Sequence, residues 1–217
     1  MSLRLLPFRQ YDENDVINIF SLATGSANNS TTDVGAGDNG VFVKISDGNF
    51  NQDIITYGPA SYLGKTDYPH VFDEAYPINP LTLTTAGSGD VPLGITLNQT
   101  AREDENGEKL LYNATKREEL QTVLPGQSVP VATKGIFTLS ANAFDLNGVT
   151  PLTTAYSVGD KIKMSTGNAG KITGVAAAST ASMTGTFGSI IGTGLRTSNA
   201  GITDQFAGNF LVIKLDA

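Results

Sequence analysis

The chain has 217 residues, of which 40% are hydrophobic and only 16% charged, with a formal net charge of -7 and no cysteine. The length is enough for a sizeable core, but the acidic balance speaks against a nucleic-acid binder, which needs a concentrated basic face. The lack of cysteine excludes disulfides and thiolate metal sites. No apolar stretch approaches the roughly twenty residues that span a bilayer. Residues 1–22 lack a basic n-region followed by an unbroken apolar core, so no secretory signal is expected and cytoplasmic synthesis is the default.

In chain order, residues 1–30 read as an extended N-terminal arm and linker. Apolar residues recur between Leu3 and Leu22, including the strand-like run Val16-Ile17-Asn18-Ile19-Phe20. The flexible, polar stretch Gly25-Ser26-Ala27-Asn28-Asn29-Ser30-Thr31-Thr32 follows. Residues 31–217 read as a single β-rich domain. Its first strand, Gly40-Val41-Phe42-Val43-Lys44-Ile45, alternates apolar and other residues and ends at the turn Asp47-Gly48. An irregular insertion at about 57–80 collects Tyr57, Tyr62, Tyr68 and Tyr76 with Pro59, Pro69, Pro77 and Pro80. Further strands are expected at Pro92-Leu93-Gly94-Ile95-Thr96-Leu97, over 129–139 as one continuous run, at Lys161-Ile162-Lys163-Met164, and at Phe210-Leu211-Val212-Ile213-Lys214-Leu215. Turn dipeptides Asn106-Gly107, Asn147-Gly148 and Gly159-Asp160 separate them. One short helix is predicted over 113–121, with Thr115 or Asn113 as N-cap. Residues 172–213 hold only two charges, Arg196 and Asp204. That stretch is either core and tight turns or a face against another subunit. The pattern of short strands with turn chemistry between them predicts an all-β fold, a small β-barrel or β-sandwich.

Catalytic chemistry finds little support. His70, the single histidine, lies in Tyr68-Pro69-His70-Val71-Phe72 and reads as a packed loop residue; no Gly-x-Ser-x-Gly elbow accompanies it. The carboxylates Glu103-Asp104-Glu105 precede Asn106-Gly107 and read as a solvated hairpin tip. They lack the Asp-x-Asp-x-Asp-Gly spacing of a calcium loop. Gly35-Ala36-Gly37-Asp38-Asn39-Gly40 matches Gly-x-Gly-x-x-Gly in form. A polar link precedes it and a strand follows, the reverse of the strand-then-helix context that phosphate binding needs, so it reads as a turn. No catalytic residue, metal ligand or cofactor is assigned, and the chain is expected not to be an enzyme.

The order of the later motifs carries a resemblance. Pro92-Leu93-Gly94-Ile95 is followed by the acidic hairpin, then Pro125-Gly126 and the strand ending in Lys134-Gly135-Ile136-Phe137. Next come Val158-Gly159-Asp160-Lys161-Ile162, Gly170-Lys171-Ile172, Ile190-Ile191-Gly192-Thr193-Gly194-Leu195-Arg196 and the closing strand. Over residues 90–217 this resembles the capsid decoration, or head-stabilising, proteins of tailed bacteriophages. The resemblance implies a β-tulip-like domain on the virion surface, made in the host cytoplasm. It implies binding to the outer surface of the expanded major capsid protein shell, as homotrimers, with no nucleic acid or membrane partner. The apolar arm, through Leu3, Leu5, Leu6, Phe8, Ile17, Ile19 and Phe20, is then expected to add a strand to a neighbour's sheet edge. The alternative is a carbohydrate-binding β-module of a phage fibre or spike, using Tyr57, Tyr62, Tyr68 and Tyr76.

Overall fold

The computed structural model describes residues 4–22, 27–33, 35–48, 81–145, 156–176, 183–198, 204 and 206–217. In chain order the strands are β1 (Leu5–Gln10), β2 (Val16–Ile17), β3 (Ser21–Leu22), β4 (Asn28–Ser30), β5 (Phe42–Asp47), β6 (Thr82–Thr85), β7 (Gly94–Thr96), β8 (Gln99–Glu103), β9 (Thr122–Val123), β10 (Val131–Ala132), β11 (Lys134–Ser140), β12 (Lys161–Met164), β13 (Ile172–Val175), β14 (Gly188–Arg196) and β15 (Gly208–Asp216). A single turn of 3-10 helix, Glu13–Asp15, lies before β2, and the helix α1 (Ala114–Glu119) lies between β8 and β9. The all-β expectation holds.

Two six-stranded sheets make the body. The first runs β1-β11-β15-β14-β12-β13 and is antiparallel throughout. The second runs β2-β10-β7-β5-β6-β3, with only β3 and β6 parallel. Their facing sides form one core: Phe137, Leu139, Ile162, Ile190, Leu211 and Ile213 from the first sheet meet Phe42, Ile95 and Ala132 from the second. Among the described residues the sheets stay open, so the sandwich half of the expectation describes them. Alternation along the second sheet sends Val41, Val43, Leu83 and Val131 to its other face, where Phe20, Leu22, Leu81 and Val129 cover them. A small parallel sheet, β4-β8-β9, packs through Ala101 against Leu110 and Leu124 beside Leu120 at the end of α1.

The run at 129–139 is not one strand. Val131–Ala132 belongs to the second sheet and Lys134–Ser140 to the first. The chain turns the sandwich corner between them. The Thr133 N–H and hydroxyl both donate to the Asp15 carbonyl, at 2.9 and 3.0 Å. Gly135 has φ 138°, and a Cβ there would stand 2.7 Å from the Gln10 carbonyl oxygen, so only glycine fits. The predicted strand at 16–20 is likewise cut to Val16–Ile17, with Ser21–Leu22 as a separate strand. The predicted helix is present, and Asn113 is its N-cap: its Oδ1 accepts the Lys116 N–H at 3.2 Å.

The first strand is built into the domain. Leu5 sits in the main core and Phe20 in the second core. Just before β1, Arg4 is buried and its Nε donates to Asp38 Oδ2 at 3.0 Å. Asn28 Nδ2 donates to the other Asp38 oxygen at 2.9 Å, and Arg4 Nη2 donates to the Gly35 carbonyl at 3.2 Å. The Gly35–Gly40 segment is therefore a turn that receives the start of β1, as its context implied. Burial pushes the Asp38 carboxyl up from its ordinary value, against the opposing pull of Asn28 and Arg4.

Candidate interaction surface

Part of the outer face of the first sheet is apolar, around Phe210 and Val212 of β15. Across β11 and β15 the register pairs Thr138 with Val212 and Ser140 with Phe210. Across β15 and β14 it pairs Val212 with Gly192 and Phe210 with Gly194. The two glycines explain how this face packs. A Cβ on Gly194 would stand 2.3 Å from Phe210 Cζ, so the Phe210 ring covers the bare backbone there. On Gly192 it would stand 3.3 Å from Val212 Cβ. The Gly-Thr-Gly run of β14 thus provides a smooth bed for an aromatic ring, a cross-strand arrangement known to stabilise glycine in sheets.

On the far side of β11 lies β1, the edge strand. Its register shifts between Leu5 and Arg9, at the position of Pro7, which has no N–H to offer a ladder. Leu6, Pro7 and Phe8 from β1 and Phe210 and Val212 from β15 line a groove of about 520 Å³ with Thr138. Phe8 is 70% exposed. The Thr138 hydroxyl is buried and has no hydrogen-bond partner among the described residues. Buried polar groups rarely go unpaired. At one end Arg196 closes the groove: its Nε donates to Asp204 at 2.8 Å and its guanidinium lies 5.7 Å from the centre of the Phe206 ring. The Phe206 N–H, more than Arg196, holds the Asp204 carboxyl below its usual range.

The arm residues expected to bind a partner are thus divided by the fold. Leu5 and Phe20 are buried in the chain's own cores, which offer each far more apolar contact than an isolated arm has. Leu6 is buried in the groove wall, Ile17 is half-buried against the second core, and Phe8 and Ile19 are exposed. Leu3 lies outside the described residues, as do His70, Tyr57, Tyr62, Tyr68 and Tyr76. Of the expected set, only Leu6 and Phe8 come together at one surface. Phe210, Val212 and the Gly192 and Gly194 bed were not singled out by sequence reasoning. The depletion of charge over residues 172–213 was their only signal, and it did not say which strand would lie beside β1. Comparison with protein-family models, with curated proteins and with solved structures finds no match to this chain.

Proposed function

We propose that the chain is a non-enzymatic structural protein that decorates a phage capsid, binding the outer surface of the expanded major capsid protein shell. The reading rests on the motif order over residues 90–217, which resembles that of decoration proteins. The observation that carries it is the groove on the outer face of the first sheet, where Phe8 stands exposed beside Phe210 and Val212. Exposed aromatics in an apolar, charge-poor setting are the residues that anchor protein interfaces. The edge position of β1 adds a row of backbone groups that a capsid segment can pair with, as in strand addition. Association as a homotrimer multiplies such sites on a symmetric shell and raises avidity without one tight contact.

The test is co-sedimentation with expanded, undecorated shells of a tailed-phage major capsid protein. Wild-type protein is expected to pellet with the shells and to saturate. Phe8→Asp, a change at an exposed position, is expected to weaken binding at least about tenfold, which corresponds to about 1.4 kcal/mol, with an unchanged melting temperature. Wild-type protein that stays in the supernatant at all ratios sinks the proposal.

A further inference from the structure

We infer that the cleft between the end of β1, the β7–β8 loop and α1 is a binding site for a neutral oligosaccharide. The cleft has a volume of about 690 Å³ and is open to solvent, within the range of small-ligand sites, roughly 300–1,000 Å³. It lies at the other end of β1 from the Phe8 groove and shares no lining residue with it.

The lining dictates the ligand class. Arg9 and Arg117 are matched in number by Glu13 and Glu118, so the cleft has no net charge with which to select a phosphate, a carboxylate or a cation. Its neutral polar groups are the amides of Asn18, Asn98 and Gln121 and the hydroxyls of Tyr11 and Thr122, the Thr122 hydroxyl already being engaged with Gln99 and the Leu120 carbonyl. An amide both donates and accepts, which matches a sugar hydroxyl, itself donor and acceptor. None of these three amides has a hydrogen-bond partner among the described residues. Tyr11 supplies the apolar contact that the C–H face of a pyranose needs. Its ring lines the cleft, is 37% exposed, and is braced from behind by stacking on the buried Phe137, with centroids 5.8 Å apart and planes 18° apart. A braced aromatic platform flanked by amides with no partner among the described residues, and by compensated charges, is the chemistry of sugar recognition.

Gln121 adds an observation of a different kind. It is the only non-glycine among the described residues with a positive φ, 49°. It follows the C-cap Leu120 of α1, a place where the left-handed conformation normally falls to glycine or asparagine. A glutamine held there presents a long amide at the cleft where a glycine would serve the helix end better.

The experiment is saturation-transfer NMR of the full chain with neutral hexasaccharides of glucose, mannose, galactose and N-acetylglucosamine. At least one is expected to bind with a dissociation constant on the order of 1 mM or below. Asn98→Ala and Gln121→Gly are each expected to weaken that binding at least tenfold. Gln121→Gly also removes the strained φ, so its melting temperature is expected to hold or rise, which separates lost recognition from lost folding. No transfer from any of the four sugars overturns the inference, as does binding that survives both substitutions. Phe8→Asp is expected to leave sugar binding intact, so failure of the capsid reading and failure of this one are read separately.

Discussion

Asp104 illustrates what a single residue contributes. Its Oδ1 accepts the N–H groups of Asn106 and Glu108, each at 2.8 Å, so the hairpin tip is tied down from within. The backbone hydrogen bond from Glu108 is the largest of the effects that hold its carboxyl below the ordinary range. Asp90 is lowered first by the Lys44 ammonium, Glu105 by Lys116, and Asp204 by the Phe206 N–H. A carboxyl whose folded pKa is depressed stabilises the fold above its unfolded pKa and loses that contribution as pH falls through the folded value. Asp38, raised by burial, has the opposite sign: its contribution is complete below the unfolded pKa and is lost as pH rises through the folded one. Among the carboxyls, four lowered against one raised predict that stability falls on acidification below about pH 4. Thermal melts from neutral to acid pH check this, and Asp104→Asn is expected to show a smaller acid loss than wild type. A melting temperature that is flat or rises on acidification contradicts the sign derived for these groups.

At the scale of elements, β1 decides how much of the N-terminal segment is available to a partner. Its length pairs with β11 from Leu5 opposite Leu139 to Gln10 opposite Ile136, and the buried Arg4–Asp38 pair fastens the residue before it. Removing one partner of a buried pair strands the other charge and costs about 3–5 kcal/mol. Arg4→Ala is therefore expected to lower unfolding free energy by about that amount in urea titrations. Trypsin is expected to cut after Arg9 in the variant sooner than in wild type, because β1 loosens before the sheet does. A variant as stable and as resistant as wild type means that Asp38 does not fasten this strand. The same element links the two surfaces: Leu6 and Phe8 line the groove while Arg9 lines the cleft.

For the whole molecule, the first sheet has one face in the core and the other presenting the groove, whereas the second sheet is covered on both faces by apolar residues. The asymmetry leaves the apolar groove with Phe8 on the first sheet among the described residues, and the proposed assembly would use it. Light scattering after size exclusion is expected to give a mass three times the 22.7 kDa of the chain. A monomer at every concentration removes the preformed trimer from the proposal and leaves trimerisation, if any, to the shell.

Much of the local structure was legible in the residues themselves. Alternation at 40–45 marks β5, Lys161-Ile162-Lys163-Met164 is β12 at the same bounds, Asn113 caps α1, and Asn106-Gly107 forms a turn in which Gly107 has φ 80°. These are short-range outcomes, set by side-chain period and by the few backbone conformations that turn residues favour. Tertiary structure alone decided the rest. Residues 129–139 read as one strand because their pattern is continuous, yet burial of Ala132 and Phe137 from two sheets into one core forces the corner at Thr133. Leu5, Leu6 and Phe8 are equally apolar neighbours in sequence, and only docking on β11 makes Leu5 core, Leu6 groove wall and Phe8 exposed. Tyr11, Asn98 and Gln121 lie far apart in the chain and meet only because three elements converge. Local pattern determines which residues are able to form strands; the total apolar area that can be buried determines which strands become neighbours, and therefore which side chains are left facing solvent to act.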